Sequence, residues 1–285
     1  TFKIYMGESE DDLSLVGTTT GHDLEVDNIE TNVTYYWQIE VADGFEDAIT
    51  DNNRFNLFQR TDVVIGTSWS YEVAGGTYEV TISADGEYIA VCDYGNEVYL
   101  FDIDSSTPLW NVDIDGNVFS VAISANGEYV VVGAQDDNVY LFEKDSSTPL
   151  WDYTTGADVV SVDISSNGEY ITAGSEDGNV YLFDKDSSTP LWSYNAASDV
   201  LTVDISADGE YIVAGSYGYE VILFNKDSST PIWSYNTQSM MRSVSISADG
   251  EWIAAGGNSD KVYLFDNYNS TPLWSYDTGS DVYSV

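Results

Sequence analysis

Few residues of this chain have the types and spacing that chemistry requires. His22 is the one histidine and sits in a polar stretch, a poor basis for a Ser-His-Asp triad or a histidine metal site. The one cysteine, Cys92, excludes an intramolecular disulfide. It stands where related segments carry Gly133, Gly174, Gly215 and Gly256, so a small buried residue is the simpler reading than a nucleophile. Asp102 with Asp104, and Asp184 with Asp186, place hard oxygen donors close together, as calcium requires. The matching pairs elsewhere are Glu143/Asp145, Asn225/Asp227 and Asp266/Asn269, without a dense D-x-D-x-D-G loop. Turn residues bonding their own backbone explain them better. The expectation is no catalytic residue, no cofactor, and calcium only as the lesser alternative.

Other positions suit contacts. Asp163 and Asp204 occupy a column that otherwise holds Thr81, Ala122 and Ser245; they either face a central channel or bond a neighbouring element. Arg242 replaces Tyr78, Phe119, Val160 and Leu201, beside Met240 and Met241, and marks a channel mouth or contact site. Asn32-Val33-Thr34 and Asn269-Ser270-Thr271 have the form of glycosylation acceptors, the second made poorer by Pro272.

The elements that position these residues follow from a repeat. Trp69, Trp110, Trp151, Trp192, Trp233 and Trp274 are each 41 residues apart, with no insertion or deletion, and such self-similarity decides the fold. From Trp151 the repeat reads "WDYTTGADVVSVDISSNGEYITAGSEDGNVYLFDKDSSTPL". Side-chain alternation predicts strands over 159–164, 169–174, 179–183 and 191–194. The first two are joined by Asp-Gly or Asn-Gly in every copy, which predicts a type I′ hairpin. Four antiparallel strands in about 40 residues make one β-propeller blade. The recurring Tyr88/Tyr129/Tyr170/Tyr211/Trp252 and Phe101/Phe142/Phe183/Phe224/Phe265 columns then read as packing between blades rather than a carbohydrate platform.

The stretch "NVYLFDKDSSTPLWSY" resembles the tryptophan-docking repeat of quinoprotein propellers, and "VSISADGEWIAAGG" resembles inner strands of WD-repeat and surface-layer propellers. The Gly-His and terminal Trp-Asp signature of true WD repeats is missing at the expected places, so the resemblance is to the wider quinoprotein-like group. It covers 69–285 and implies five complete blades and the start of a sixth. The segment 69–73 reads as a fourth strand without a blade of its own. Quinone-dependent dehydrogenases of that group need a Glu/Asn/Asp metal set and a cofactor-stacking tryptophan inside the ring. The repeat tryptophans here fall on outer strands.

Residues 1–60 resemble part of a fibronectin type III module, followed by a linker over 61–68. "NIETNVTYYWQIEVADG" matches its later strands, with Ile29 and Tyr35 at the leucine and corner-tyrosine positions. "TFKIYMG" and "LSLVG" read as middle strands and "NNRFNLFQ" as the last. Both ends read as cuts through a larger protein, with completion of the missing strands by a neighbouring chain as the alternative.

The fold class expected is therefore all-β. The modular pairing resembles prokaryotic, particularly archaeal, surface proteins. It implies a non-enzymatic extracellular structural or adhesive protein, with a homo-oligomeric surface layer or filament as its assembly; a propeller binding a protein or glycan is the alternative. Variable loops converge on one face: 74–76, 115–117, 196–198 and 238–240 with those at Tyr94, Asp136, Asp137, Tyr217 and Tyr219. With Met240, Met241 and Arg242, these are the candidate partner contacts. No apolar run of about 18 residues suggests membrane insertion.

Charge sets the last expectation. Eight Lys+Arg against 49 Asp+Glu give a formal net charge of −41, which repels nucleic acid and anionic membranes and suits a saline environment. The melting temperature is expected to rise between about 0.1 M and 2 M NaCl as screening relieves carboxylate repulsion. A flat or falling curve in a thermal melt removes the halophilic interpretation.

Overall fold

The computed structural model describes residues 2–7, 14–19, 36–41, 69–73 and 76–285. It forms two compact units, Thr1–Ser70 and Tyr71–Val285. In the first unit, Phe2–Gly7 pairs antiparallel with both Ser14–Thr19 and Tyr36–Val41, giving a three-stranded sheet with Phe2–Gly7 in the middle. The expected last strand, His22, Ile29, Asn32, Tyr35 and the linker lie outside the described residues.

The second unit is all-β among its described residues and contains five four-stranded antiparallel sheets. Blade 1 comprises Thr77–Ile82, Tyr88–Asp93, Glu97–Asp102 and Trp110–Asp113. Blade 2 comprises Val118–Ile123, Tyr129–Ala134, Asn138–Glu143 and Trp151–Thr154. Blade 3 comprises Val159–Ile164, Tyr170–Ser175, Asn179–Asp184 and Trp192–Asn195. Blade 4 comprises Val200–Ile205, Tyr211–Ser216, Glu220–Asn225 and Trp233–Asn236, and blade 5 Met241–Ile246, Trp252–Gly257, Lys261–Asp266 and Trp274–Asp277. The first strand of each blade neighbours the first strand of the next, so these are the inner strands. No helix among the described residues is long and apolar enough to cross a membrane.

Two local expectations are corrected. The second strand of blade 3 starts at Tyr170 rather than Glu169, because the Glu169 N–H is drawn into the turn by Asn167 Oδ1 at 3.1 Å. The Asp-Gly hairpins are also not type I′, which needs positive φ at both central residues. Only the glycine is left-handed: Gly86, Gly127, Gly168, Gly209 and Gly250 have φ of 70–76°, and the preceding Asp or Asn does not. In blade 3, Gly168 N–H bonds Ser165 O at 2.8 Å and Ser165 N–H bonds Tyr170 O at 2.9 Å, closing a wider loop. Ser165 Oγ donates to Asn167 Oδ1 at 2.8 Å and accepts from Tyr170 N–H at 3.0 Å. The serine is what the dipeptide reading left out: its hydroxyl stabilises a longer turn than Asn-Gly alone specifies.

Blades are joined by their aromatic columns. Each docking indole reaches forward: Trp110 Nε1 donates to Lys144 O at 2.8 Å, Trp151 to Lys185 O at 2.7 Å, Trp192 to Lys226 O at 2.7 Å and Trp233 to Asn267 O at 3.3 Å. Their rings lie 5.2–5.4 Å from Phe142, Phe183, Phe224 and Phe265 of the following blade. The strand expected over 69–73 is not formed as one, yet Tyr71 meets Phe101 edge-on at 5.1 Å, as Tyr153 meets Phe183 at 5.3 Å, so Tyr71 repeats an outer-strand ring contact. At the other end, Val285 N–H bonds Ser243 Oγ at 3.1 Å, repeating the contact by which each inner strand meets the one before it.

Tyr129 of blade 2 covers the turn glycine of blade 3 so closely that a Cβ on Gly168 would lie 2.6 Å from its ring. Gly86, with the same left-handed backbone, has open space at that position. Gly86→Ala should therefore cost only the left-handed penalty of about 1 kcal/mol, while Gly168→Ala adds about 1–3 kcal/mol of overpacking. Chemical denaturation of the two variants measures the difference. Equal losses would show that the tyrosine moves aside freely.

Candidate functional site

The chain reverses at each strand, so every blade presents two kinds of connection on opposite faces. The turn face carries the Gly turns and the Ser-Ser-Thr-Pro turns. The loop face carries the connections into the inner strand and those between second and third strands. Within each blade these two loops are tied by one backbone bond. Glu176 N–H reaches Asp158 O at 2.9 Å, Tyr217 N–H reaches Asp199 O at 2.9 Å, and Gln135 N–H reaches Asn117 O at 2.8 Å.

Seven of the eight candidate contact residues lie on the loop face: Tyr94, Asp136, Asp137, Tyr217, Tyr219, Met240 and Arg242. Tyr94 is 59% exposed and Tyr217 52%. Met241 is corrected. Its side chain is fully buried, packed in the core with Val213, Val244 and Phe265, because the first residue of each inner strand points between blades. Asn269 is exposed on the turn face, its amide donating to Asp266 Oδ1 at 3.3 Å.

Two features of this face were not read from the sequence. Each inner strand has a bulge at its second residue: Tyr78, Phe119, Val160, Leu201 and Arg242 fall where the ladder skips. A bulge leaves its residue unpaired and re-aims the side chain. Tyr78 stands 4.9 Å from Tyr94, edge to face, and 6.0 Å from Phe119. The Arg242 guanidinium lies 5.0 Å over Tyr283, and its Nε donates to Asn258 Oδ1. The substitution column was visible in the repeat, but nothing in it announced a bulge.

The second feature is left-handed backbone. Asn96, Asp137, Tyr219 and Asp260 occupy one repeat position with φ of 56–75°. Asn, Asp and Gly tolerate this conformation, whereas a bulky tyrosine is a genuine outlier. Tyr219 is held there by Thr237, whose N–H and Oγ1 both donate to its carbonyl, at 2.8 and 2.9 Å. Such strain gathers at contact and ligand sites.

The remaining chemical candidates are structural. Cys92 is fully buried, and burial pushes its thiol up to about 12. Asp102 and Asp184 each accept the N–H two residues on at 2.9 Å, the local turn bonding expected of them. Among the described residues no three or more His, Cys, Asp or Glu gather as a metal-holding group. Asp163 and Asp204 bond the next blade: Asp163 Oδ2 accepts from Ile205 N–H at 3.0 Å, and Asp204 Oδ2 from Ile246 N–H at 2.7 Å. Asp204 Oδ1 also accepts from Ile205 N–H, at 2.8 Å, so two carboxyls converge on one donor. Burial, then the adjoining Asp204, lifts the Asp163 carboxyl well above the usual range.

The family model described as outer membrane protein assembly factor BamB (PQQ_2) matches residues 37–276. No curated protein matches the chain. Among solved structures, a chain of the "Crystal Structure of Mitotic Checkpoint Complex" is similar with a TM-score of 0.64 at 20% identity, covering 72% of this chain and 67% of that one. Likeness at that identity concerns the fold.

The carboxyl pair gives a pH dependence of definite sign. A carboxyl whose folded pKa is raised holds its proton more tightly folded than unfolded. Its stability contribution is complete below about pH 4 and is lost as pH rises through the raised value. Asp163→Asn mimics the protonated form and can still accept from Ile205. The variant should melt higher than the parent at pH 8, with the gain shrinking towards pH 4.5. Paired thermal melts across that range check it, and a variant that melts lower at pH 8 rejects the raised Asp163 pKa.

Proposed function

This chain belongs to the family described as outer membrane protein assembly factor BamB, and we propose that it is a non-enzymatic, protein-binding propeller of the cell surface, docking its partner on the loop face. The observation that carries this reading is the contrast between the two faces. The turn face repeats the same Gly and Ser-Ser-Thr-Pro turns from blade to blade. The loop face changes in every blade, exposes Tyr94, Tyr217 and Tyr219, and holds Tyr219 in a costly backbone conformation.

Tyrosine and arginine are the residues that interface hot spots favour, and both cluster here. Catalysis has no comparable support: the one thiol is buried and protonated, and the inner carboxyls are committed to backbone N–H groups. The placement outside the cell rests on the acidic composition and the resemblance to surface proteins. Assembly of copies into a layer or filament through strand and propeller contacts is the structural form of this proposal.

A variant combining Tyr94→Ser, Tyr217→Ser and Arg242→Ser tests it without touching the core; Met241 is left intact because truncating it would open a cavity. Partner binding should weaken at least tenfold, read by co-purification and by analytical ultracentrifugation of the complex, with the melt unchanged. Cross-links to the partner should map to the loop face. Cross-links confined to the turn face, or a loss seen only on altering the Ser-Ser-Thr-Pro turns, would overturn the reading.

A further inference from the structure

The partner's chemistry can be taken further, on the premise that the loop face is the docking surface. Between Trp69 and Asn236 the chain has only three cations, Lys144, Lys185 and Lys226. All three stand on the turn face and are already paired there. Lys144 meets Glu128 at 2.7 Å, Lys185 meets Asp186 at 2.8 Å, and Lys226 meets Glu210 at 2.7 Å. The loop face of blades 1–4 thus has no cation of its own among the described residues.

Its carboxylates are concentrated nonetheless. Asp158 is held above the usual carboxylate range by burial and by the charge of Asp137. Glu176 is raised by burial and by Asp158 and Asp199. Asp158 and Asp199 each stand one residue ahead of the neighbouring inner strands of blades 3 and 4, and Glu176 N–H bonds Asp158 O at 2.9 Å, so the three carboxylates lie along one arc of the loop face. Two residues beyond Asp158 and Asp199 come the half-buried bulge residues Val160 and Leu201; Phe119 holds the same bulge position in blade 2 and stands 6.0 Å from Tyr78 of the exposed Tyr78–Tyr94 pair. Apolar ground beside unneutralised carboxylates is complementary to one kind of ligand. A cation there gains from both the carboxylates and the tyrosine faces, and an apolar side chain gains from burial on the bulge residues.

We infer that the loop-face mouth of blades 1–4 binds a basic, apolar-anchored segment of a protein partner, its lysine or arginine set among Asp158, Glu176 and Asp199 and its large apolar side chain on Phe119, Val160 and Leu201. A glycan or an acidic segment would leave the arc's repulsion unrelieved. A second copy of this acidic chain would add to it.

The test uses the full chain and a fluorescein-labelled dodecapeptide of Lys, Leu and one Trp, followed by anisotropy in 0.15 M NaCl (roughly physiological screening). The matched peptide with Glu for Lys is the control. One variant carries Asp158→Asn, Glu176→Gln and Asp199→Asn; another neutralises Asp145, Asp186 and Asp227 on the turn face to Asn. The Lys peptide should bind the parent and the turn-face variant within twofold of each other. It should bind the loop-face variant at least tenfold more weakly, while the Glu peptide binds none. The loop-face variant should melt no lower than the parent, since substitution relieves repulsion. Equal losses in both variants would reduce the effect to bulk acidity and overturn the inference, as would absence of peptide binding. If the Lys peptide binds the loop-face variant as tightly as the parent while partner cross-links still map to that face, this inference fails and the docking face stands. Cross-links on the turn face end both.

Discussion

Everything in the propeller depends on how one blade is fastened to the next. An indole on the outer strand of one blade donates to a carbonyl 34 residues ahead and packs its ring on the following blade's buried phenylalanine. The net value of one such hydrogen bond is about 1 kcal/mol, but leaving the buried carbonyl unmet would cost more. The aromatic burial adds the larger share. Because the contact always runs from one blade to its successor, the same residues must recur at the same spacing. A 41-residue period without insertions is the sequence-level trace of that requirement.

The same fastening explains why the two faces differ. On the turn face, backbone bonds cross between blades: Ala125 N–H reaches Ser166 O, Ser166 N–H reaches Ala207 O, and Ala207 N–H reaches Ala248 O, at 3.0–3.1 Å. The turn glycines of blades 2–5 also lie beneath the preceding blade's tyrosines. A change there disturbs two blades. On the loop face, each connection into an inner strand is bonded on both sides through the main chain: Thr155 N–H reaches Asp137 O of the preceding blade at 2.7 Å, and Glu176 N–H reaches Asp158 O at 2.9 Å within the blade it enters. These backbone ties leave the loop side chains able to differ from blade to blade, and a rigid scaffold with variable loops is the arrangement in which binding surfaces arise.

This division also governs what the sequence disclosed. The blade count, the strand positions to within one residue and the inter-blade role of the aromatic columns followed from periodicity, because those features are set by contacts that repeat. The hairpin type was misread because the deciding atom is Ser165 Oγ, outside the Asn-Gly pair that the rule considers. Met241 was misplaced because neighbouring residues on a strand point to opposite sides, and the Met240-Met241-Arg242 run contains a bulge that shifts which side is which. The strain at Tyr219 was invisible: the repeat position also holds Asn, Asp and Gly, and only backbone geometry shows that tyrosine adopts their conformation. Non-repeating features are where the periodic argument has no purchase, and the candidate site is made of them.

An excess of carboxylate runs through both the interior and the surface. Inside, the inner strands are linked by hydroxyls where charge can be avoided: Ser120, Ser161 and Thr202 each accept from the N–H of a valine in the next blade. Blade 1 uses Glu79 for the same bond to Val121, at 2.8 Å, and burial raises its carboxyl pKa. Where Asp163 and Asp204 share a donor, burial and the adjoining carboxyl favour the protonated form of Asp163. On the turn face the neutralising agent is lysine, one for each of blades 2, 3 and 4. The loop face of blades 1–4 has clustered carboxylates and no cation of its own among the described residues. Its charge must be balanced from outside the chain, by salt or by a basic partner, and the apolar bulge residues beside it favour the partner, because a hydrated salt ion gains nothing from apolar surface.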